Sequence, residues 1–443
     1  MMNRTNRIVN IIRKLGPGFL FAGAAIGVSH LVMSSSAGAK YGFGLLWAVL
    51  LANILKYPFF QFAPRYTGAT GENLIQGYRK LGMWAIWIYL IITVGTMFTV
   101  QAAVTIVTAG VLSMMIPMIS LSAVTWSIII LCICMLILMA GRYSLLDNLM
   151  KYIIVLLAIC TVAAVLMSIY HPATAKTEFM HTFAWDTAGV AFLIALMGWM
   201  PAPLDLSVWN SIWAQEKRKQ IGKLSMKDMI FDFNMGYYGA VVLAVCFLSV
   251  GALIIYGQGI DIPDKGGQFA AMLIDMYTKA FDTVGLGSVA YYVISIAAFT
   301  TMFSTTLTCL DAYPRVLWRV TTVFKENKKK RLSAAETAHK ESKQAESTSK
   351  FYSLLNYWGW IVLVASGAIV LLTFLGGKMG IMVKIATILS FIPTPLFAYI
   401  NYRLVTSDHM PVEAQPKKSM RVFSWVCMVL ITAFCVYYFY SLF

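Results

Sequence analysis

The sequence predicts an all-α integral membrane protein, and three observations carry that expectation. Hydrophobic residues make up 59% of the 443 and charged residues only 12%, with a mean hydropathy of +0.72. An ordinary soluble domain carries about 25% charge. Apolar stretches long enough for a hydrocarbon core of roughly 30 Å recur about eleven times. Lys and Arg gather in alternate connections between them. A phosphate-cradling G-x-x-x-x-G-K-[ST] run is absent from the sequence, so neither a nucleotide-driven machine nor a soluble hydrolase is indicated.

In chain order, residues 1–15 form a short basic start with Arg4, Arg7, Arg13 and Lys14. The apolar run behind it continues as one of many similar segments, which argues for a cytoplasmic N-terminus rather than a cleaved leader. Spans are expected near 17–41, 43–64, 84–115, 122–140, 149–170, 186–213, 231–256, 286–318, 356–375, 380–402 and 421–441. Basic residues collect at Arg65, Arg79 and Lys80, at Arg142 and Lys151, and at Lys217, Arg218, Lys219, Lys223 and Lys227. They collect again over 315–331 and 403–421, always on the side of the N-terminus. The opposite connections are poor in basic residues, and the longest, 257–285, holds Asp261, Asp264, Asp275 and Asp282. With an odd number of spans in the cell membrane, the C-terminus lies outside. The net charge of +16 mostly reflects this bias and not a nucleic-acid footprint.

The seven cysteines all lie in apolar runs, outside any C-x-x-C pair, and read as small hydrophobes. Residues 325–350, KENKKKRLSAAETAHKESKQAESTSK, are too polar to pack and read as a solvated, partly helical cytoplasmic loop.

Two spans are interrupted. The first carries Gly27-Val28-Ser29-His30, an imidazole beside Gly and Ser at mid-span. The sixth carries Met200-Pro201-Ala202-Pro203-Leu204-Asp205, where two prolines two apart cannot sit in an unbroken helix. Breaks five spans apart are what an inverted repeat of five plus five helices gives, with an ion site between the broken pair. Residues 16–170 and 186–402 are then the two repeats, the loop 325–350 lying within the second, and 421–443 supply an added eleventh helix. Simple kinks are the competing reading.

Several motifs match one family in order: Gly16-Pro17-Gly18-Phe19, Ala37-Gly38-Ala39-Lys40-Tyr41-Gly42 with Leu45-Leu46-Trp47, and Arg65 followed by Thr70-Gly71. Gly141-Arg142-Tyr143 with Asp147, and Ser304-Thr305-Thr306-Leu307-Thr308, continue the match. With these motifs the chain resembles the Nramp family of divalent-metal transporters, and the resemblance implies a LeuT-type fold. It also exposes departures. Where metal-carrying members have Asp-Pro-Gly-Asn, this chain has Gly27-Val28-Ser29-His30, without the carboxylate. Where they have Met-Pro-His, two registers are open: one puts Ala202 at the His, the other puts Pro203 at the Met and Asp205 at the His. The third span has no acid over Thr99 to Thr105, and Thr387 to Ser390 lack the family's Gln.

A dehydrated divalent cation asks for carboxylates, and a transition metal also for thioether or imidazole. A small anion asks for helix N-termini, hydroxyls and a nearby cation. The expected substrate-binding residues are Gly27, Ser29, His30, Ala202, Pro203 and Asp205. His30 reads as packing residue, proton carrier or ligand. Lys56, roughly 18 Å into its span, either pairs with Asp205, Asp232 or Asp311 or contributes charge to an anion site. Asp232 is a further intramembrane acid and a coupling or electrostatic candidate. Asp311 either pairs with Arg315 or serves a coupling Na⁺ or proton, and Lys384 either snorkels to the outer interface or lines the path. The sequence thus points to a secondary-active transporter of a small inorganic anion such as bicarbonate, moved by alternating access, with Na⁺ or H⁺ coupling unassigned. The alternative is a divalent-cation transporter binding a largely hydrated Mg²⁺ or Mn²⁺ through Asp205 and carbonyls. A retired transporter fold acting as a sensor is a third class. No cofactor and no enzymatic activity are expected.

Overall fold

The structure, a computed structural model, describes residues 16–140, 143–170, 183, 185–222, 224–258, 263, 266–282, 285–335, 345–375 and 378–441. The basic start 1–15, Arg142, Lys223, Asp261, Asp264 and the middle of the polar loop lie outside the described residues. No β-strand occurs among those described.

The first span is two helices, α1 (Pro17–Ala25) and α2 (Ser35–Tyr41), joined by a π-helical turn over Ser29–Ser34. The two parts bend by 46°. Pro17 opens α1, where its missing N–H costs nothing. Ile26, with ψ at 79°, takes the backbone out of the helix just before Gly27. Next come α3 (Leu46–Thr70), the short α4 (Leu74–Leu81) with an Asn73 and Gln76 capping box, α5 (Met83–Met115), α6 (Ala123–Met139) and α7 (Tyr143–Tyr170).

The sixth span is split into α8 (Thr187–Trp199) and α9 (Leu206–Ile221). The Met200–Pro201 peptide between them is cis. Then follow α10 (Met226–Ile254), α11 (Gly266–Asp282), α12 (Gly287–Ala335), α13 (Ala345–Phe374), α14 (Met379–Phe391), α15 (Thr394–Val405) and α16 (Lys418–Tyr440). Among the described residues seven helices are long and apolar enough to cross a membrane, the bent α1–α2 pair adds one, and three shorter apolar helices cover 123–139, 155–170 and 187–199. Each of these helices overlaps one of the eleven expected spans, eight of which are thus long and apolar enough to cross. Outward-facing Ile91, Leu136, Val370 and Val436 are exposed, as a lipid-solvated surface requires.

Two features differ from the sequence reading, and the polar loop keeps the partly helical character expected of it. The connection 257–285 contains α11, on which Asp275 pairs with Lys279 at 2.9 Å, so part of it is helix. The polar loop 325–350 is helical at both ends, since α12 runs to Ala335 and α13 starts at Ala345. The tenth span is interrupted at Pro393, between α14 and α15.

Glycines set the packing of the first span against α10. A Cβ on Gly18 would lie 1.9 Å from the Asp232 carbonyl oxygen, and one on Gly236 would lie 1.9 Å from that of Gly18. Farther along, a Cβ on Gly38 would meet the Leu248 carbonyl oxygen at 2.0 Å, and one on Gly251 that of Ser35 at 2.3 Å. The order Gly18 to Gly38 matches Gly236 to Gly251, so the two spans run parallel, backbone against backbone.

Asp232 closes the same interface. Its carboxylate accepts the Gly16 N–H at 2.9 Å and the Gly18 N–H at 2.7 Å, capping the free donors at the start of α1. This assigns Asp232 a structural place in the fold. Asp232→Asn retains one acceptor but turns an amide N–H₂ toward a backbone donor. It is expected to cost about 1–2 kcal/mol, read as a lower midpoint of thermal unfolding, with transport per folded molecule unchanged.

Candidate functional site

The two breaks meet. The Ser29 hydroxyl oxygen lies 3.2 Å from the Pro201 carbonyl oxygen and 2.7 Å from that of Ala25, so the first break is in contact with the sixth. Beside this junction is a cavity of about 30 Å³, lined among others by Ser29, Trp199, Ala202, Pro203, Asp205 and Trp209. Thr305 and Cys309 of α12 and Val100 and Val104 of α5 complete the wall. A volume of roughly 10–15 Å³ admits one water, so this cavity has room for about two.

Asp205 is the cavity's acid. It follows the second proline at the start of α9, is 5% exposed, and its side chain does not cap the helix. The Tyr313 hydroxyl donates to its carboxylate at a long 3.5 Å. Tyr313 is held edge-on against the Trp209 ring, with centroids 4.9 Å apart. The indole N–H groups of Trp199 and Trp209 are buried without a protein acceptor.

Of the six expected substrate-binding residues, Ser29, Ala202, Pro203 and Asp205 line the cavity, whereas Gly27 and His30 do not. Gly27 is at a close approach, where a Cβ would come within 2.8 Å of the Thr305 hydroxyl oxygen. His30 is fully buried, and its Nε2–H donates to the Ala240 carbonyl of α10 at 2.9 Å. A carbonyl only accepts, so that proton is fixed on Nε2. Nδ1 sits 2.6 Å from the Ser29 hydroxyl, so both ring nitrogens are engaged.

Lys56 lies in α3 and is 1% exposed. Its ammonium donates to the carbonyls of Gly198 at 2.6 Å, Met197 at 2.8 Å and Ala202 at 3.1 Å. The expected direct pair with Asp205, Asp232 or Asp311 is not formed, because all three N–H donors are spent on backbone. Asp311 pairs with Arg315 at 2.6 Å and accepts from the Tyr357 hydroxyl, the contact that the paired alternative expects. Lys384 is exposed in the second turn of α14, as the snorkelling reading requires.

Sequence reasoning did not single out Trp199 or Trp209. The available signal was that Trp199 ends the helix before the proline break and Trp209 lies in the first turn of the helix after it. It also missed that the Thr-rich run ties α12 to its neighbours. Thr306 bonds the Thr108 hydroxyl at 2.7 Å, and Thr305 donates to the Gly23 carbonyl at 3.3 Å. Among the described residues no group of three or more His, Cys, Asp or Glu side chains is placed to hold a metal ion.

Two broken helices meeting at a buried, partly polar cavity inside a helical membrane bundle form the LeuT-type fold. The Natural resistance-associated macrophage protein-like (Nramp) family matches residues 18–441, and the chain belongs to that family. It is 35% identical over 423 residues to an uncharacterised protein of Pasteurella multocida, covering 95% of this chain and 90% of that one. It is also 35% identical over 77 residues to the divalent metal cation transporter MntH of Bacillus subtilis, covering 16% of this chain and 18% of that one. The solved structure of a mutant Eremococcus coleocola manganese transporter superposes with a TM-score of 0.68 at 12% identity, covering 98% of this chain and 87% of that one. At such identity the likeness carries the fold.

Proposed function

We propose that this Nramp-family transporter moves a divalent metal cation, a hard and largely hydrated ion such as Mg²⁺ or Mn²⁺, by alternating access at the junction of the two breaks. The observation that carries this reading is Asp205: a buried carboxylate facing the cavity without an ion pair. The family and the names of its metal-transporting relatives support the same class.

The ligand chemistry favours hard ions over soft ones. No Met sulfur lines the cavity, and the imidazole of His30 is turned to α10. One carboxylate with backbone oxygens cannot replace a full hydration shell, so the ion keeps most of its water. Room for about two waters is less than such an ion needs, so loading requires the cavity to widen.

The anion reading loses its main donors. Lys56 has no N–H left, and His30 lies off the cavity wall. What still favours an acceptor-rich ligand such as bicarbonate is the pair of unpartnered indole N–H groups. Asp311 is engaged by Arg315 and offers no assignment for Na⁺ or H⁺ coupling. In this reading residues 16–170 and 186–402 are the two repeats, 421–443 is an appended helix, and the basic connections keep the N-terminus cytoplasmic.

The test is uptake into proteoliposomes of ⁵⁴Mn²⁺, Mg²⁺ and labelled bicarbonate in one preparation. Mn²⁺ or Mg²⁺ flux above empty liposomes is expected. Bicarbonate flux without metal flux overturns the cation reading and selects the anion.

A further inference from the structure

The end of α8 is chemically incomplete, and another helix completes it. In an unbroken helix the N–H of residue 201 would bond the carbonyl of residue 197, and that of residue 202 the carbonyl of residue 198. Residue 201 is proline and has no N–H, and the chain leaves the helix at Met200. The Met197 and Gly198 carbonyls therefore lose their donors inside the membrane, where an unsatisfied backbone group costs several kcal/mol.

Both carbonyls converge with that of Ala202 on the Lys56 ammonium, at 2.8, 2.6 and 3.1 Å. Three acceptors match three N–H donors, so the ammonium is saturated. The carbonyl end of a helix carries partial negative charge, which favours a cation there. The geometry is that of a small cation held by a carbonyl cage, except that the cation is bonded to α3.

We propose that Lys56 is a tethered resident cation filling a carbonyl site at the broken sixth span, and that shortening its side chain leaves a site for a free primary alkylammonium ion. The tether has two consequences. A carbonyl set that would otherwise compete for the transported ion is permanently occupied. The broken end of α8 is also locked to α3, so any rearrangement of this break carries Lys56 with it or breaks these three bonds.

The test requires no transported substrate, so its failure is distinct from failure of the metal reading. Lys56→Ala removes a propylammonium fragment, and n-propylammonium is the matching probe. The purified variant is expected to unfold at least 5 °C below the native protein in detergent. Adding millimolar n-propylammonium should restore at least half of that shift. n-Propanol and tetramethylammonium, which lack the charge or the N–H donors, should restore none, and the native protein should not respond. Lys56→Gln, of similar length with two N–H donors but no charge, covers the case in which the alanine variant fails to fold. It is expected to melt several degrees below the native protein. A native-like melting temperature for Lys56→Gln, or a folded Lys56→Ala that n-propylammonium does not stabilise, overturns the proposal.

Discussion

Asp205→Asn is expected to reduce metal uptake at least tenfold while leaving the protein folded. The carboxylate is the acid on the cavity wall, and its long contact with the Tyr313 hydroxyl leaves it available to an incoming ion. A tenfold loss corresponds to about 1.4 kcal/mol, a modest demand for removing a full charge from a buried site. The fold should survive because the Asp205 side chain neither caps α9 nor joins an ion pair, and Asn fills nearly the same volume. Initial uptake rates over a Mn²⁺ series, normalised to protein incorporated into the vesicles, provide the check. Loss of folded protein would instead assign Asp205 to structure. Unchanged uptake would remove it from the site.

Gly236→Leu is expected to have the larger effect on folding. Here even a Cβ falls 1.9 Å from the Gly18 carbonyl oxygen and 2.5 Å from its carbon, both backbone atoms that cannot rotate away. Ordinary overpacking costs roughly 1–3 kcal/mol when side chains can adjust. In this interface α1 and α10 must separate, which also pulls the Gly16 and Gly18 N–H groups from Asp232. Little or no monodisperse protein on size-exclusion chromatography is the expected result. Gly239→Leu is the control, because a Cβ there meets nothing within 4 Å. A Gly236→Leu variant as well behaved as the control would mean that the two helices do not pack this closely.

The bundle was legible in the sequence because the bilayer imposes its own periodicity of apolar length and basic connection. The breaks were legible because two prolines at 201 and 203 cannot lie inside a helix, and because His30 sits where the first span gives way. What local pattern could not convey was how distant backbone groups are satisfied. Asp232 caps a helix start 214 residues away in sequence, and Lys56 supplies donors to carbonyls 141 to 146 residues away. An intramembrane charge announces only that it needs a partner. Carboxylates were sought for Lys56, whereas the broken helix provided carbonyls.

His30 shows the opposite limit. Its position at the break suggested the cavity, yet the π-helical turn over Ser29–Ser34 directs its ring to α10 and leaves Ser29 at the wall. Helical register around such a turn depends on the packing of α1, α2 and α10, which sequence spacing does not encode. The tryptophans escaped for a related reason. Residue type alone does not separate a lipid-facing Trp87, 51% exposed, from the buried Trp199 and Trp209.

Cys309 offers the most direct test that the substrate sits where the breaks meet, since it lines the cavity and is a native free thiol. In a background with the other six cysteines replaced by Ala or Ser, a small methanethiosulfonate reagent is applied to cycling transporter in vesicles. The rate of Cys309 modification is then followed with and without saturating Mn²⁺. The proposed site predicts that Mn²⁺ slows modification severalfold, and that Asp205→Asn abolishes this protection. Equal modification rates with and without Mn²⁺, in vesicles that still take Mn²⁺ up, would place the metal path elsewhere and contradict the account.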